Sequence, residues 1–213
     1  MNRYEAPDFW ARKARKEGYP ARSVYKLEEI ARKFPALFSA KRPGMPVLDL
    51  GAAPGSWSLF LLRNFKARVT ACDLNPLDGN AAFEAAAGRG DTACPDFAFI
   101  QGDFCAPDIE ARISGRGPYR LVVSDAAPAT SGSRTLDSLR SQELAETALR
   151  YAQICLEEGG GMAVKIFQGA GSGAVLEKMR GVFDRVKSFK PQACRANSVE
   201  TYFIGIGRRR FAN

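Results

Sequence analysis

Short, nearly continuous apolar runs recur along this chain: "PVLDLG", "ARVTACDL", "FAFIQGD", "YRLVVSDAAP" and, later, "GGGMAVKIFQG". Each has the length of a strand, and a run without polar alternation suits a strand covered on both faces. Between them lie stretches with helical spacing, "SWSLFLLRNFK", "NAAFEAAAGRG" and the long "TLDSLRSQELAETALRYAQICLEEGG", whose closing glycines predict a helix stop. After "GVFDRVKSFKP" comes the strand-like "SVETYFIGIG". Strands alternating with helices predict βαβ units and an α/β fold, a mostly parallel central sheet with helices on both faces. At 213 residues the chain has room for one domain, with 1–40 as a basic N-terminal helical extension.

In such sheets ligands bind beyond the carboxyl ends of the strands. Polar residues gather at those predicted ends: Asp49 with Gly51, then Asp73, Asp103, Asp125 and Lys165. The first turn, "DLGAAPGSWS", lacks both the GxGxxG pattern and the GK[ST] of a phosphate loop, so it does not indicate pyrophosphate binding. Gly51 and Gly55 let a ligand approach the main chain. Asp73, about twenty residues on, is placed to accept hydrogen bonds from both hydroxyls of a ribose. Asp103 is placed to take the exocyclic amine of an adenine. Together they suit an adenosine without phosphates. Asp49, embedded in its strand, reads as a tie for the turn's backbone N–H groups. Trp57 reads equally as a ligand neighbour or a core anchor.

Composition narrows the chemistry. Hydrophobic and charged fractions of 46% and 25% are ordinary for a globular domain. No apolar run approaches a membrane span, and the start "MNRYEAPDFWARKARK" has no apolar signal region, which points to a cytoplasmic chain. Cys72, Cys94, Cys105, Cys155 and Cys194 are scattered, with no CxxC pair, which argues against a disulfide framework or a zinc site. Histidine is absent, so acid–base work falls to lysine, carboxylate, cysteine or tyrosine.

The net charge of +8 suggests a polyanionic partner, nucleic acid first. The segment "FWARKARKEGYPARSVYK" interleaves Arg12, Lys13, Arg15, Lys16 and Arg22 with Phe9, Trp10, Tyr19 and Tyr25. Basic groups neutralise phosphates while aromatics pack or stack on bases, so it reads as a basic helical flap for RNA. An aromatic side turned down and a basic side turned out are compatible. The tail "GRRRF" (Arg208 to Arg210) is a second basic cluster that reads as a frayed end.

Taken in order, "RSVYKLEEI", "DLGAAPGSWS", "ACDLNP", "QGDF", "VVSDAAP", "VKIFQG" and "SVETYFIG" resemble the motifs of the FtsJ/RrmJ ribosomal RNA 2′-O-methyltransferases, from about Tyr19 to Gly207. The resemblance implies a Rossmann-like methyltransferase fold with S-adenosylmethionine in the first-turn site, where Gly51, Pro54, Gly55, Trp57, Asp73, Asp103, Phe104 and Asp125 match. It implies a catalytic tetrad of Lys26, Asp125, Lys165 and Glu200, no metal, and an RNA partner, most directly a uridine of the large ribosomal subunit. Two departures stand out. The segment 74–97 is longer than the usual family linker, and the second glycine of the family's "PGGW" is Ser56.

Methyl transfer to a ribose hydroxyl needs alignment and a base for the departing proton. Lysine serves as a base only when neutral, and burial beside a second cation lowers its affinity for the proton. Lys165 inside "MAVKIF" is the expected base, Asp125 its orienter, with Lys26 and Glu200 holding the hydroxyl. Without the resemblance, Lys26 and Glu200 read as a solvated helix face and an edge-strand charge, Asp125 as a loop cap. Three rival readings stand beside rRNA methylation: a tRNA ribose methyltransferase, a non-catalytic RNA-binding or ribosome-assembly protein, and a dinucleotide oxidoreductase disfavoured by the missing GxGxxG. Nothing in the sequence suggests an obligate interface, so a monomer is expected.

Overall fold

The computed structural model describes residues 9–38, 44–77, 97–169, 171–195 and 197–210. Seven strands form one sheet in the order β3-β2-β1-β4-β5-β7-β6. They are β1 (Pro46–Leu50), β2 (Arg68–Asp73), β3 (Phe97–Gln101), β4 (Tyr119–Ser124), β5 (Leu156–Phe167), β6 (Phe183–Phe189) and β7 (Glu200–Arg208). The helices are α1 (Phe9–Lys16), α2 (Val24–Lys33), α3 (Ser56–Phe65), α4 (Pro107–Ser114), α5 (Arg134–Cys155) and α6 (Ser172–Val182). Among the described residues no helix is long and apolar enough to cross a membrane.

β1 to β5 run parallel, and β1 lies between β2 and β4 with Val47 opposite Val69 on one side and Leu121 on the other. Alternation splits β1 between two cores. Val47 joins Val69, Leu121 and the apolar faces of α2 and α3, whereas Leu48 and Leu50 join Ile109 and Ile113 of α4 with Ala145, Ala148 and Leu149 of α5. The chain leaves β1 toward β2 and later crosses back to β4, so the strand order reverses at the β1/β4 boundary. A crevice beyond the carboxyl ends follows from that reversal.

The last strand departs from the parallel rule. β7 enters antiparallel between β5 and β6, with Lys165 opposite Tyr202 and Phe167 opposite Glu200. Its first residue therefore meets the carboxyl end of β5, and a segment remote in sequence reaches the crevice.

Several local expectations need correcting. The long helix ends at Cys155, not at the glycines; Leu156 turns to extended backbone and opens β5, and the glycines fall where the β4–β5 register shifts. "GVFDRVKSFKP" contributes strand β6, whose charged residues Asp184, Arg185 and Lys187 lie on a sheet edge and so mask its period. Helices α4 and α6 arise in stretches to which the pattern assigned nothing. The predicted helix "NAAFEAAAGRG" and most of the long 74–97 segment lie outside the described residues. Cys72, Cys105, Cys155 and Cys194 are free thiols, and Cys94 lies outside the described residues.

Candidate active site

The turn after β1 is shaped by its neighbour from β4. Gly51 has φ +73°, and a Cβ there would fall 2.6 Å from the Ala126 Cα, so neither its conformation nor its space admits a side chain. Its N–H and that of Ala52 bond the Cys72 carbonyl, while Ala53 N–H donates to Asp73 Oδ2 at 2.9 Å. The other oxygen of Asp73 accepts from Asn75 N–H at 2.8 Å. Asp73 thus first holds the turn together; Oδ1 also accepts the Asn75 side-chain amide at 3.4 Å, and Oδ2 retains a second lone pair.

Beyond this turn opens a cavity of about 310 Å³, walled by Gly51, Ala53, Asp73, Asp103, Phe104 and Asp125 among others. Asp103 uses Oδ1 to accept Cys105 N–H at 2.8 Å. Among the described residues, three carboxylates and no lysine or arginine line the space. That set of acceptors repels phosphates and favours an uncharged nucleoside or a cation. Pro54, Gly55 and Trp57 do not contribute to the wall. Gly55 instead caps α3 at φ +109°. The open choice for Trp57 resolves to a core anchor: its ring is 2% exposed and packs on Tyr202, and its indole N–H donates to the Ser23 carbonyl at 2.8 Å. Ser56, the family departure, bonds both the N–H and the carbonyl of Ala21, so α3 grips the start of α2 through two neighbouring side chains.

Asp49 does not tie the turn as expected. Its Oδ2 accepts from the Ser58 hydroxyl of α3 at 2.6 Å, and its buried Oδ1 has no hydrogen-bond partner among the described residues. Burial pushes its carboxyl up to about 7, against the pull of Ser58. A raised carboxyl pKa means that the folded state keeps the proton after the unfolded chain has lost it. Stability from this group is thus complete below about pH 4 and falls as pH rises toward 7. Asp49→Asn should remove that fall, leaving the variant more stable than the parent at pH 8 by about 2–4 kcal/mol. Denaturant titrations at pH 5 and pH 8 measure it; an equal difference at both would disprove the shift.

The four tetrad positions come together. Lys26 Nζ lies 2.9 Å from Glu200 Oε2 and 3.8 Å from Asp125 Oδ1. Lys165 Nζ lies 3.1 Å from the same Asp125 oxygen and donates to the Asp125 carbonyl at 2.6 Å. Lys26 and Lys165 are only 9% and 7% exposed, so neither is a solvated surface charge. The bland readings of Lys26, Glu200 and Asp125 therefore fail on geometry. Burial draws the Lys26 ammonium down, but Asp125 and Glu200 outweigh it and leave its pKa raised. Burial likewise pushes Asp125 up, and Lys165, Lys26 and the Tyr202 hydroxyl together hold it below the usual carboxylate range. Lys26 therefore stays charged beside two carboxylates, whereas Lys165 has one carboxylate neighbour.

Sequence reasoning missed Tyr202. Fully buried, it donates its hydroxyl to Asp125 Oδ1 at 2.6 Å, and burial followed by the two carboxylates holds it protonated. Two-residue periodicity carried the signal, since Tyr202 stands two places beyond Glu200 on the same face of β7. Glu29 was missed too. One turn beyond Lys26, it accepts the N–H groups of Gln192 and Ala193, both at 2.8 Å, and so clamps the β6–β7 loop to α2.

A second cavity, about 270 Å³, opens on the far side of the tetrad between Arg22, Ser23, Lys26, Arg195, Ser198 and Glu200. In α1 Phe9 is exposed, and only Trp10 of its two aromatic residues turns inward. Trp10 packs on the core and Ala14 is buried, while Arg12, Arg15 and Lys16 are exposed. Lys13 lies over the Tyr25 ring at 4.3 Å and beside Glu17 at 3.8 Å. Arg22 donates to the Ala193 carbonyl and lines the second cavity. Within the tail expected to fray, Arg208 ends β7 and bonds the Gln153 carbonyl, and Arg209 pairs with Asp184; residues 211–213 lie outside the described residues.

A parallel sheet with its last strand reversed and inserted, and a glycine turn after the first, is the architecture of Rossmann-like S-adenosylmethionine-dependent methyltransferases. Solved structures agree on the fold. A ribosomal RNA methyltransferase from Plasmodium falciparum superposes with TM-score 0.68 at 24% identity, over 89% of this chain and 98% of that one. Human methyltransferase-like protein 13, solved with SAH, gives TM-score 0.55 at 16% identity, over 87% and 86% of the two chains. Sequence comparison is sharper: a profile of FtsJ-like methyltransferases matches residues 19–208, and the chain belongs to that family. Among its relatives, the ribosomal RNA large subunit methyltransferase E of Treponema denticola is 48% identical over 207 residues, 96% of each chain. Its namesake from Nitratidesulfovibrio vulgaris is 42% identical over 206 residues, 95% of this chain and 94% of its own.

Proposed function

We propose that this chain, working as a single domain and a monomer, methylates a ribose 2′-hydroxyl of RNA in the large ribosomal subunit, on a uridine. The observation that carries the reading is the placement of the tetrad between two cavities of opposite character. Asp125 faces the acid-lined space beyond the glycine turn, and Lys26 and Glu200 face the arginine-lined one. A cationic donor suits the first, and a polyanionic acceptor suits the second.

The acid-lined cavity fits S-adenosylmethionine. Its volume is at the lower end of the usual range for small-ligand sites, about 300–1,000 Å³. Asp73 and Asp103 have acceptor capacity left for hydroxyls and an amine, Gly51 allows close approach, and Phe104 supplies an apolar surface. When bound, this group supplies a methyl already activated by the neighbouring sulfonium charge. The acceptor hydroxyl is the difficult partner, and this chain's residues act on it. Lys165, aimed by two bonds to Asp125, takes the hydroxyl proton. Lys26, held as an ammonium, and Glu200 fix the ribose oxygen, and Tyr202 keeps Asp125 in place. The relatives' rRNA names favour ribosomal RNA over tRNA.

The test is incubation with labelled donor and ribosomal subunits or total RNA from cells lacking the protein. Label should enter large-subunit RNA at one ribose, whose 3′ linkage then resists alkaline cleavage. Label in tRNA or on a base would redirect the assignment, and no label with donor bound would favour an assembly role. Calorimetry should detect S-adenosylmethionine and not NAD.

The basic side of α1 bears on RNA affinity. Charge reversal at Arg12, Lys13, Arg15 and Lys16 should flatten the dependence of RNA binding on salt, by roughly 0.7–0.9 in log–log slope for each phosphate no longer neutralised. An unchanged slope would move the binding face elsewhere.

A further inference from the structure

A third cavity, about 170 Å³, opens on the α5 side of the sheet. Thr135, Ser138 and Leu139 of α5 face Gln168, Gly169 and Gly171 of the segment after β5, and Arg134 supplies the charge of the wall. A Cβ at Gly169 would strike the Ser138 side chain, so glycine lets this segment lie close to the helix. The walls are fixed through other atoms. Phe167 N–H donates to Ser141 Oγ and Gln168 N–H to the Val199 carbonyl, both at 2.9 Å. Asp137 Oδ1 accepts the N–H and the hydroxyl of Ser131 at 2.8 and 2.7 Å, which anchors the first turn of α5. The groups that face the cavity are left over. Among the described residues the Gln168 amide makes no hydrogen bond, and Leu139 is 48% exposed.

The cavity adjoins both halves of the site. Phe167 stands opposite Glu200 on β7, and Gln168 follows three residues beyond Lys165, roughly 10 Å along the strand. Alternation puts Gln168 on the face of Ile166, which packs with α5, and Lys165 on the other. On α5, Leu139 precedes Leu144 of the donor cavity by roughly 7.5 Å. Size then selects the occupant. An apolar cavity of about 150 Å³ holds one benzene ring, so this space admits a single six-membered ring and not a fused pair. A pyrimidine is such a ring with a polar edge. In uracil that edge is N3–H between two carbonyls, and one amide complements it: the amide oxygen accepts N3–H while its N–H donates to a carbonyl. Leu139 offers an apolar surface, and a guanidinium plane is one on which bases stack.

We propose that this cavity seats the pyrimidine base of the nucleotide whose ribose is methylated, with the Gln168 amide on the N3–O4 edge. The assignment rests on the reading of the chain as an RNA ribose methyltransferase. In a ribose, C2′ stands between C1′, which carries the base, and C3′, which carries a phosphate. A hydroxyl held at the tetrad therefore sends its base to one side and its backbone to the other. The arginine-lined cavity lies on the α2 side of the tetrad and this one on the α5 side. A seated base fixes the rotation of the sugar, and purines are refused by size.

The experiment compares wild type, Gln168→Leu and Thr135→Trp, which brings an indole into the cavity from an exposed position. The probes are short RNAs spanning the mapped ribose, with uridine, 3-methyluridine, adenosine or an abasic unit that keeps its 2′-hydroxyl at that place. Methyl transfer is read as kcat/KM, and calorimetry with S-adenosylmethionine checks that each variant folds. Wild type should prefer uridine to each of the other three by about ten- to a hundredfold. Gln168→Leu should lose about as much on uridine as wild type loses on 3-methyluridine, and should no longer separate the two. Thr135→Trp should treat uridine and abasic RNA alike. A Gln168→Leu penalty equal on uridine and abasic RNA would overturn the seat, as would a base requirement that appears only when the abasic unit is moved to a neighbouring nucleotide. If wild type labels no RNA, the ribose reading falls instead, and Kd values for oligouridylate and oligoadenylate judge the cavity alone. A preference for oligouridylate that both variants erase would keep a pyrimidine site; equal affinities in wild type would remove it.

Discussion

Lys165→Ala will abolish methyl transfer while the protein still folds and binds its donor. The side chain is 7% exposed, its nitrogen lies 3.1 Å from Asp125 Oδ1, and it makes no ion pair with Glu200 among the described residues. It is thus the amine of the pair with one carboxylate neighbour among the described residues, aimed by Asp125 alone. Loss of a positioned base costs about 10²–10⁴-fold in rate, which here means turnover near background. Donor affinity should hardly move, because Lys165 does not line the acid-lined cavity. Single-turnover rates with RNA prebound separate chemistry from binding. A near-normal rate in that assay would remove Lys165 from the role of base. Lys26 then offers little as a replacement, since Asp125 and Glu200 keep it charged.

How far the site was legible follows from how each residue is placed. Gly51, Asp73, Asp103, Asp125 and Lys165 stand at or near the carboxyl ends of parallel strands, so a strand-by-strand reading finds them; periodicity and the rule about strand ends suffice. Lys26 and Glu200 were legible only through family resemblance. Their functional context is created by two long-range events, the docking of α2 on α3 and the antiparallel insertion of β7. No local pattern encodes either. Asp73 shows the opposite failure. Its position was read correctly, but its first task, bonding the N–H groups of Ala53 and Asn75, depends on how the turn folds back. Trp57 was undecidable for the same reason, because its indole partner, the Ser23 carbonyl, lies 34 residues away. Strand β6 escaped notice because it lies at the edge of the sheet, where charged residues stay in water and apolar alternation fades.

Asp125→Asn should harm stability and activity together, in a way that pH can dissect. One carboxylate oxygen, Oδ1, accepts from Tyr202 at 2.6 Å and lies 3.1 Å and 3.8 Å from Lys165 and Lys26. The amide preserves shape and one acceptor but removes the charge. Among the described residues Lys26 then keeps only Glu200 and Lys165 is left without a carboxylate partner, and breaking a buried pair from one side costs about 3–5 kcal/mol. The sign with pH follows from the direction of the shifts. Asp125 is depressed in the folded state, so its contribution is present above the ordinary carboxylate pKa and is lost as pH falls through the folded one. Lys26 is raised, so its contribution is present below the ordinary lysine pKa and disappears as pH climbs through the folded one. The difference in unfolding free energy between parent and variant should therefore be widest near neutrality. It should narrow as pH falls below the ordinary carboxylate pKa of about 4 toward the lower folded one, and again at strongly alkaline pH. Urea titrations across that range, with single-turnover rates at each pH where both proteins are folded, provide the measurement. A constant gap would mean that Asp125 supports the fold through shape alone. Electrostatic coupling of the two lysines through this one oxygen would then be excluded as the organising feature of the site.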